Sequence, residues 1–135
     1  MSDFNSGIIR EFRANGGKGE FDGVSLLILH HIGAKSHTAR MNPVVCYPQP
    51  DGRIAIIASN GGAQTNPDWY HNVKAHPEVE VEFDTEVFTA VANELRGTER
   101  DAVWADALRS APQLEGLQKK TTSRQIPVLL LTRRS

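Results

Sequence analysis

Apolar positions recur with a helical period over residues 4–14. Phe4, Ile8, Ile9 and Phe12 fall on one face, and charged residues occupy the others. This spacing of three and four residues predicts an amphipathic N-terminal helix. The segment "NGGKGE" that follows ends the helix, because paired glycines interrupt helical structure. We expect the apolar face to pack on the rest of the chain or on a partner subunit.

Three apolar runs follow and have the composition of strands. Residues 24–32, "VSLLILHHI", form a continuous run of a length suited to one buried strand. Residues 42–47 and 53–59 are rich in β-branched residues and are joined by "PQPDG". The Asp51-Gly52 pair in that link is typical of a hairpin turn. The two runs are therefore predicted to form an antiparallel pair.

A helix is predicted after these strands, starting at Asn66-Pro67-Asp68. Asn can cap free N–H groups, Pro is tolerated at the first helical position, and Asp complements the positive end of the helix dipole. The helix should end before His76-Pro77, because a residue that precedes proline disfavours helical backbone angles. A strand-to-helix corner containing Gly61 and Gly62 leads into it.

The rest of the chain predicts three more strands and one more helix. "VEVEF" and "VFTAVANEL" alternate between apolar and polar residues, with "DTE" as the turn between them. Thr98 and Asp101 resemble a capping box that starts a helix through about Leu108. "IPVLLLT" is the last strand. Short connections between these strands favour a mainly β fold, a small antiparallel barrel with helices, as one domain over residues 1–135 with residues 1–20 as its N-terminal helix and loop.

Charge and cysteine content exclude several classes of partner. The chain carries 15 Lys and Arg against 16 Asp and Glu, so it has no overall field that would attract nucleic acid. Contact with a membrane surface is not expected, and no window approaches the about 20 apolar residues of a membrane span. A single cysteine, Cys46, excludes an intrachain disulfide and suits a cytoplasmic location.

One loop combines several groups that bind anions. Lys35, Ser36, His37, Thr38 and Arg40 all lie within "GAKSHTARMNP" between two buried strands. Lysine supplies a point charge and arginine a planar fork, a pair used to hold phosphates and carboxylates. A solvated loop with scattered charges is the alternative interpretation. The sequence is not a P-loop, because Ala34 occupies the glycine position before the lysine.

The glycine corner and the helix after it form a second group. Gly61 and Gly62 would let the backbone approach a flat ligand. Trp69, Tyr70 and His71 point in successive directions around one helical turn, so they cannot all face the core. Some of them face a ligand, a partner or water. In the alternative interpretation, tryptophan is core and the other two lie where the helix meets the barrel.

Metal binding and cysteine catalysis are not predicted. His30 and His31 point to opposite faces of a strand, and His71 and His76 lie across a helix end. No pair has the spacing typical of metal ligands. Nothing in the sequence brings Cys46 to a histidine that could activate it.

The stretch "LLILHHIGAKSHTARMNPVVCYPQPDGRIAIIASNGGAQTNPDWYHNVKAHPEVEVEF", from Leu26 to Phe83, resembles the deazaflavin-dependent nitroreductase family. A fainter similarity lies in "QKKTTSRQIPVLLL" near the C-terminus. The resemblance implies a split β-barrel related to flavin-mononucleotide-binding oxidoreductases. It also implies coenzyme F420, a deazaflavin whose tail carries a phosphate and several carboxylates.

The resemblance also implies which residues would contact the cofactor. The cofactor tail would be held by Lys35, Ser36 and Arg40. The ring system would be flanked by one group of strand residues, Met41, Pro43 and Val44. The corner residues that would approach its edge are Ala58, Ser59, Asn60 and Gly61. The helix residues that would complete the pocket are Trp69, Tyr70, His71, Asn72 and Val73.

By this resemblance the chain is expected to be an F420-dependent oxidoreductase. It would deliver hydride from the reduced deazaflavin to a small electron-poor organic substrate such as an enone, a quinone or a nitroaromatic. The sequence leaves two alternatives open, an FMN-binding reductase and a non-catalytic cofactor carrier or small-ligand binding protein. A homodimer is also compatible with it.

The proton donor is the least defined part of this hypothesis. Tyr70, Ser59 and His71 are the candidates that the pocket residues offer. Family members often carry tyrosines near the substrate where this chain has Leu114 and Leu117. Leucine has no hydroxyl, so these two positions predict an apolar wall beside the substrate and no proton donor there.

Overall fold

Antiparallel strands joined by four α-helices make up the computed structural model, which describes residues 3–14, 19–21 and 24–134. The strands are β1 (Gly19–Phe21), β2 (Val24–Ile32), β3 (Ala39–Pro48), β4 (Ile54–Ile57), β5 (Glu78–Phe83), β6 (Glu86–Glu94) and β7 (Val128–Arg133). The helices are α1 (Asp3–Ala14), α2 (Asp68–Ala75), α3 (Gly97–Ser110) and α4 (Gln113–Lys120), and Asn60–Gly62 form a 3₁₀ turn. None of the described helices is long and apolar enough to cross a membrane.

Six of the strands close into a barrel. The order around it is β2, β3, β4, β7, β6 and β5, and β5 pairs again with β2 through Ile28–Glu82, Leu29–Val81 and His30–Glu80. The short strand β1 pairs with the first residues of β2, so β2 shares one of its edges between two neighbours. All pairings are antiparallel, which confirms the predicted split antiparallel barrel.

The barrel interior is filled from alternate positions of its strands. Leu27 and Leu29 of β2 are fully buried there with Ile56 of β4. Trp69 and Val73 of α2 join the same cluster, with 9% and 1% of their surfaces exposed. Their separation of four residues places them on one face of the helix. Helix α2 therefore closes one end of the barrel with its apolar face.

Helices cover two parts of the outer surface. Ile9 and Phe12 of α1 pack on Leu26 and Ile28, the outward positions of β2. This confirms the predicted amphipathic helix, although the side chain of Phe4 lies outside the described residues. On the other side, α3 and α4 pack on the outer face of β4 and β7. Because both faces of β2 are covered, its sequence is a continuous apolar run.

Some element boundaries differ from those that the sequence predicts. Strand β3 begins at Ala39, so the predicted loop 33–43 is shorter and Arg40 lies on a strand. Pro67 occupies the N-cap position of α2 and no side chain caps the helix, so the predicted capping role of Asn66 is wrong. Helix α3 starts at Gly97 with no side-chain cap, so the predicted capping box there is wrong too.

The glycine corner packs on α4, a helix that the sequence pattern did not predict. Gly62 has φ +84°, a left-handed conformation that favours glycine. A Cβ built there would lie 3.0 Å from Lys120 Cδ and 3.3 Å from Leu117 Cδ2. The second glycine is thus required by the turn and by the close approach of α4.

We expect Gly62→Ala to lower the free energy of unfolding by about 1 to 3 kcal/mol, through left-handed strain and contact with α4. Gly116→Ala is the matched control, because Gly116 lies within α4 with nothing within 4 Å of its added Cβ. It should stabilise the protein by about 0.5 to 1 kcal/mol. Urea unfolding measures the free energy of unfolding of both variants. Equal changes in the two variants would contradict the packing described for the corner.

Candidate active site

Two adjoining cavities lie where α2 meets β2 and β3. The larger has a volume of about 760 Å³, and the smaller of about 530 Å³. Arg40 and Asp68 line both cavities. These volumes fall in the range of small-molecule sites, about 300 to 1,000 Å³. One elongated ligand could therefore occupy both.

The smaller cavity is lined by the loop between β2 and β3. Lys35 and Ser36 lie on this loop, and His71 and Asn72 of α2 form the opposite wall. Neither Lys35 nor Arg40 has an acidic group within 4 Å in the described part of the chain. Lys35 and Arg40 outnumber the one carboxylate that lines this cavity, Asp68, so the cavity has the chemistry of an anion site.

The loop has a tight backbone that depends on Gly33. The Gly33 N–H donates to the Thr38 carbonyl at 2.9 Å, and the His37 N–H donates to the Gly33 carbonyl at 3.0 Å. A Cβ at Gly33 would collide with Ser36 Oγ, so a larger residue there would displace the Ser36 side chain. The hydroxyls of Ser36 and Thr38 are hydrogen-bonded at 2.7 Å. The loop is thereby shaped before any ligand binds.

A chain of hydrogen bonds connects this loop to the larger cavity. The Ala34 N–H donates to Asn72 Oδ1 at 2.9 Å, which leaves Asn72 Nδ2 as a donor. Asn72 Nδ2 lies 3.0 Å from His31 Nδ1, and His31 Nε2 lies 2.7 Å from Asn42 Oδ1. Because the backbone N–H can only donate, His31 Nδ1 accepts and His31 Nε2–H donates to Asn42. The chain therefore fixes the neutral Nε2–H form of His31.

Burial also favours the neutral form of His31. His31 is 2% exposed, and removal from water lowers its pKa below the ordinary value, with the charge of Arg40 as a smaller contribution. The hydrogen bond to Asn42 opposes this shift but is the smaller cause. Asn42 lines the larger cavity, and its Nδ2 has no hydrogen-bond partner among the described residues. The amide N–H groups of Asn42 are thus available to a ligand.

Arg13 and His30 line the larger cavity on the side of α1, and both bind the carboxylate of Glu82. Arg13 Nε and Nη2 donate to Glu82 Oε1 and Oε2 at 3.0 and 2.7 Å. His30 Nε2 lies 2.5 Å from Glu82 Oε2. The Arg13 guanidinium holds the pKa of the Glu82 carboxyl below its usual value, and the hydrogen bond from His30 adds to this. Glu82 is therefore ionised and accepts from both residues.

Tyr70 lies outside both cavities. Its hydroxyl donates to Glu94 Oε1 at 2.6 Å, and Lys74 Nζ lies 3.1 Å from the same oxygen. Burial, followed by the hydrogen bond to Glu94, raises the pKa of Tyr70 to about 12. Tyr70 is thus held at the seam between helix and barrel, as the alternative interpretation of the sequence has it.

The structure brings together about half of the residues predicted for the site. Those that line one or both cavities are Lys35, Ser36, Arg40, Met41, Asn60, Trp69, His71 and Asn72. Those described residues that line neither are Pro43, Val44, Ala58, Ser59, Tyr70 and Val73. Val44, Ala58 and Val73 belong to the barrel core. Gly61 lies in the 3₁₀ turn of residues Asn60–Gly62.

The corner is held in place by the C-terminal segment. Arg124 donates to the carbonyls of Ala58 at 3.1 Å, Ser59 at 3.0 Å and Ala63 at 3.0 Å. Gln64 Oε1 accepts from the backbone N–H of Ser123 at 2.9 Å. Residues of the faintly similar segment "QKKTTSRQIP" therefore hold the backbone of the corner through hydrogen bonds.

The prediction that Leu114 and Leu117 form a wall beside the substrate is wrong. Leu114 is 4% exposed in the core beneath α4, and Leu117 packs against the same cluster. Neither leucine lines the two cavities. Helix α4 turns this face towards the barrel because β4 and β7 present apolar residues to it.

Several residues that line the larger cavity were not predicted from the sequence. Arg13, Asn42 and Asn66 all line the larger cavity, as do His30 and His31. Asn66 Oδ1 is buried without a hydrogen-bond partner. The available signal was a histidine pair at the end of a strand that runs into the Lys-Ser loop. Although the two histidines face opposite sides of β2, both reach the cavity because the strand ends there.

Comparison with known proteins gives consistent matches. A family described as F420H(2)-dependent quinone reductase matches residues 5–133. An F420H(2)-dependent quinone reductase of Mycobacterium tuberculosis is 34% identical over 110 residues, 80% of this chain and 73% of the relative. The structure of an F420-H2 dependent reductase superposes with a TM-score of 0.71 at 36% identity, over 79% of this chain and 93% of that one. A domain-swapped dimer superposes with a TM-score of 0.72 at 32% identity, over 94% and 98%.

The neutral form of His31 predicts a dependence of stability on pH. Unfolded histidine takes up a proton below about pH 6.5, whereas folded His31 has a lowered pKa and stays neutral. The free energy of unfolding should therefore fall as pH falls below about 6.5, by up to about 1.4 kcal/mol per pH unit from this residue.

His31→Gln should remove this contribution. We expect the difference in unfolding free energy between parent and variant to be constant between about pH 7 and 8, where His31 is neutral in both states, and to narrow on acidification. Urea unfolding across this range measures it. A difference independent of pH down to about 5 would show that folded His31 accepts a proton freely.

Proposed function

The chain belongs to the F420H(2)-dependent quinone reductase family, and from that membership we propose that it transfers hydride from reduced F420 to a quinone or a similar electron-poor organic molecule. The observation that carries the proposal is the pair of adjoining cavities, one cationic and one with free amide donors, joined at Arg40. An anionic tail with a flat ring needs both environments side by side.

The smaller cavity fits the tail of F420. Its phosphate and carboxylates require cations and hydrogen-bond donors, and Lys35, Arg40 and Ser36 supply them. The loop that carries Lys35 and Ser36 is already fixed by Gly33 and by the Asn72 side chain. A preformed loop lowers the entropy cost of binding.

The larger cavity fits the ring and the substrate. Trp69 supplies an apolar surface, and the unpartnered Asn42 Nδ2 and the buried Asn66 Oδ1 supply one donor and one acceptor. A deazaflavin pyrimidine edge carries carbonyl oxygens and an N–H that match such groups. The residues that are present therefore fit the cofactor in both cavities.

When bound, reduced F420 supplies the hydride. Asn42 would orient the ring through its amide N–H groups. His31 holds the Asn42 amide through its Nε2–H, and Asn72 holds His31 in turn. Trp69 and Met41 exclude water from part of the cavity. The protein thus contributes binding, orientation and a partly dry site, while the electrons come from the cofactor.

A homodimer is also proposed. Its support is the domain-swapped dimer that this chain resembles at 32% identity over 94% of its length. Light scattering after gel filtration measures the mass, and a single species of one chain's mass would contradict the dimer.

The function is tested by titrating the protein with F420 and with FMN in parallel, followed by oxidation of the reduced cofactor. We expect F420 to bind more tightly and its reduced form to be oxidised faster when a quinone is added. Tighter binding of FMN would support an FMN-dependent reductase instead. Binding of F420 without quinone-dependent oxidation would support a cofactor carrier.

Arg40→Ala should weaken F420 binding by about 10- to 150-fold, because loss of one charge-assisted contact costs about 1.5 to 3 kcal/mol. Higher salt should weaken binding to the parent more than to the variant. Arg109→Ala is the matched control, because Arg109 is exposed on α3 and lines neither cavity. Equal affinities of Arg40→Ala and the parent would exclude Arg40 from the tail site.

A further inference from the structure

Reduction of a quinone requires a proton as well as a hydride, and the cavity walls restrict which residue can supply it. Tyr70 is held by Glu94, and Ser59 lines neither cavity. His71 lines only the smaller cavity. Both ring nitrogens of His31 are engaged by Asn72 and Asn42.

We propose that His30 is the catalytic acid that protonates the reduced substrate in the larger cavity. His30 lines that cavity, and its side chain is 31% exposed, so solvent can return a proton to it. The proposal rests on the proposed function, since it assigns a role within the same reaction.

The two ring nitrogens of His30 have different surroundings. Nε2 lies 2.5 Å from Glu82 Oε2 and donates its N–H to that carboxylate. Arg13 binds both oxygens of Glu82, so the carboxylate stays ionised and fixed in direction. The second ring nitrogen, Nδ1, has no hydrogen-bond partner among the described residues. This nitrogen is the one that can donate to a ligand.

In known catalytic histidines, a carboxylate binds one ring nitrogen and orients the ring, and the second ring nitrogen transfers the proton. Glu82 fixes the ring through Nε2, and Nδ1 carries the mobile proton. Arg13 is a positioning residue, because it acts through Glu82. The N-terminal helix thereby takes part in the chemistry of the barrel.

The step balances in atoms and electrons. The quinone gains two electrons and one hydrogen as hydride from reduced F420, and its second oxygen becomes anionic. That oxygen forms an O–H bond as the Nδ1–H bond of His30 breaks, which completes the hydroquinone. Reduced F420, when bound, would supply the two electrons with the hydride and would lose its remaining proton to solvent, and solvent returns a proton to His30.

Charged groups surround His30 on two sides. On β5, Glu80 lies opposite it in the register, and Glu82 contacts it. On the cavity side the charged groups are Asp68, Arg40 and Arg13, and the neighbouring titratable group is His31. The pKa of Glu82 is held below its usual value, first by the hydrogen bond from Arg13, so Glu82 remains an ionised acceptor for His30.

The test uses the full chain with reduced F420 and a soluble quinone in single-turnover experiments. General acid catalysis contributes about 10²- to 10⁴-fold, so His30→Gln should lower the hydride-transfer rate by about 100-fold or more. The parent rate should fall as pH rises, because the step consumes a proton, and the variant should lack this fall. The Kd for F420 should change less than it does with Arg40→Ala, since His30 does not line the smaller cavity that fits the tail.

Two further variants separate catalysis from structure. His30→Ala should regain part of its rate when free imidazole is added, which a purely structural defect would not do. His76→Gln is the matched control, because His76 follows α2 and lines neither cavity, and it should behave like the parent. Glu82→Gln should lower the rate less than His30→Gln.

Parent-like turnover of His30→Gln at every pH would overturn the proposal, as would a loss of rate that is the same at every pH and is not restored by imidazole. Failure of the proposed function has a different signature. In that case the parent itself would not bind F420, or would not oxidise its reduced form when a quinone is added.

Discussion

Both cavities depend on the way one strand is paired. Strand β2 bonds to β3 along one edge, and its other edge is shared by β1 and β5. With its inner face in the barrel core and its outer face under α1, it has no freedom to shift register, because a shift of one residue would expose every buried side chain. His30 and His31 therefore reach the site with fixed directions, one beside Glu82 and the other beside Asn72.

Most elements of the fold could be predicted from the sequence, because the burial of apolar side chains determines where these elements form. The run of residues 24–32 and the hairpin at Asp51-Gly52 were predicted correctly, since apolar periodicity and turn chemistry are local signals. Helix α4 was missed because Gly116 and its many polar residues give it little helical pattern. Strand β1 has only three residues and is stabilised by its partner. These elements depend on tertiary contacts that no local pattern records.

The candidate site was predictable only in part, for a similar reason. Lys35 and Arg40 were identified from charge in an otherwise balanced chain, and the structure places both at cavities. Tyr70 was a reasonable candidate by composition, but Glu94, 24 positions away, binds its hydroxyl. Glu82 and Arg13 are separated by 69 residues, so their pairing with His30 follows only from the closed barrel. Contacts of such separation are set by topology rather than by motif.

Arg124 supports the glycine corner through main-chain carbonyls alone. Every residue type offers the same carbonyl acceptor, so this support does not depend on which side chains the corner carries. A different side chain at Ser59 is consequently compatible with an unchanged backbone path, whereas Asn60 has φ +50° and its Nδ2 donates to the Thr65 carbonyl at 3.0 Å. The backbone that borders the larger cavity therefore keeps its path through contacts made from outside the corner, by a side chain more than 60 residues further along the chain.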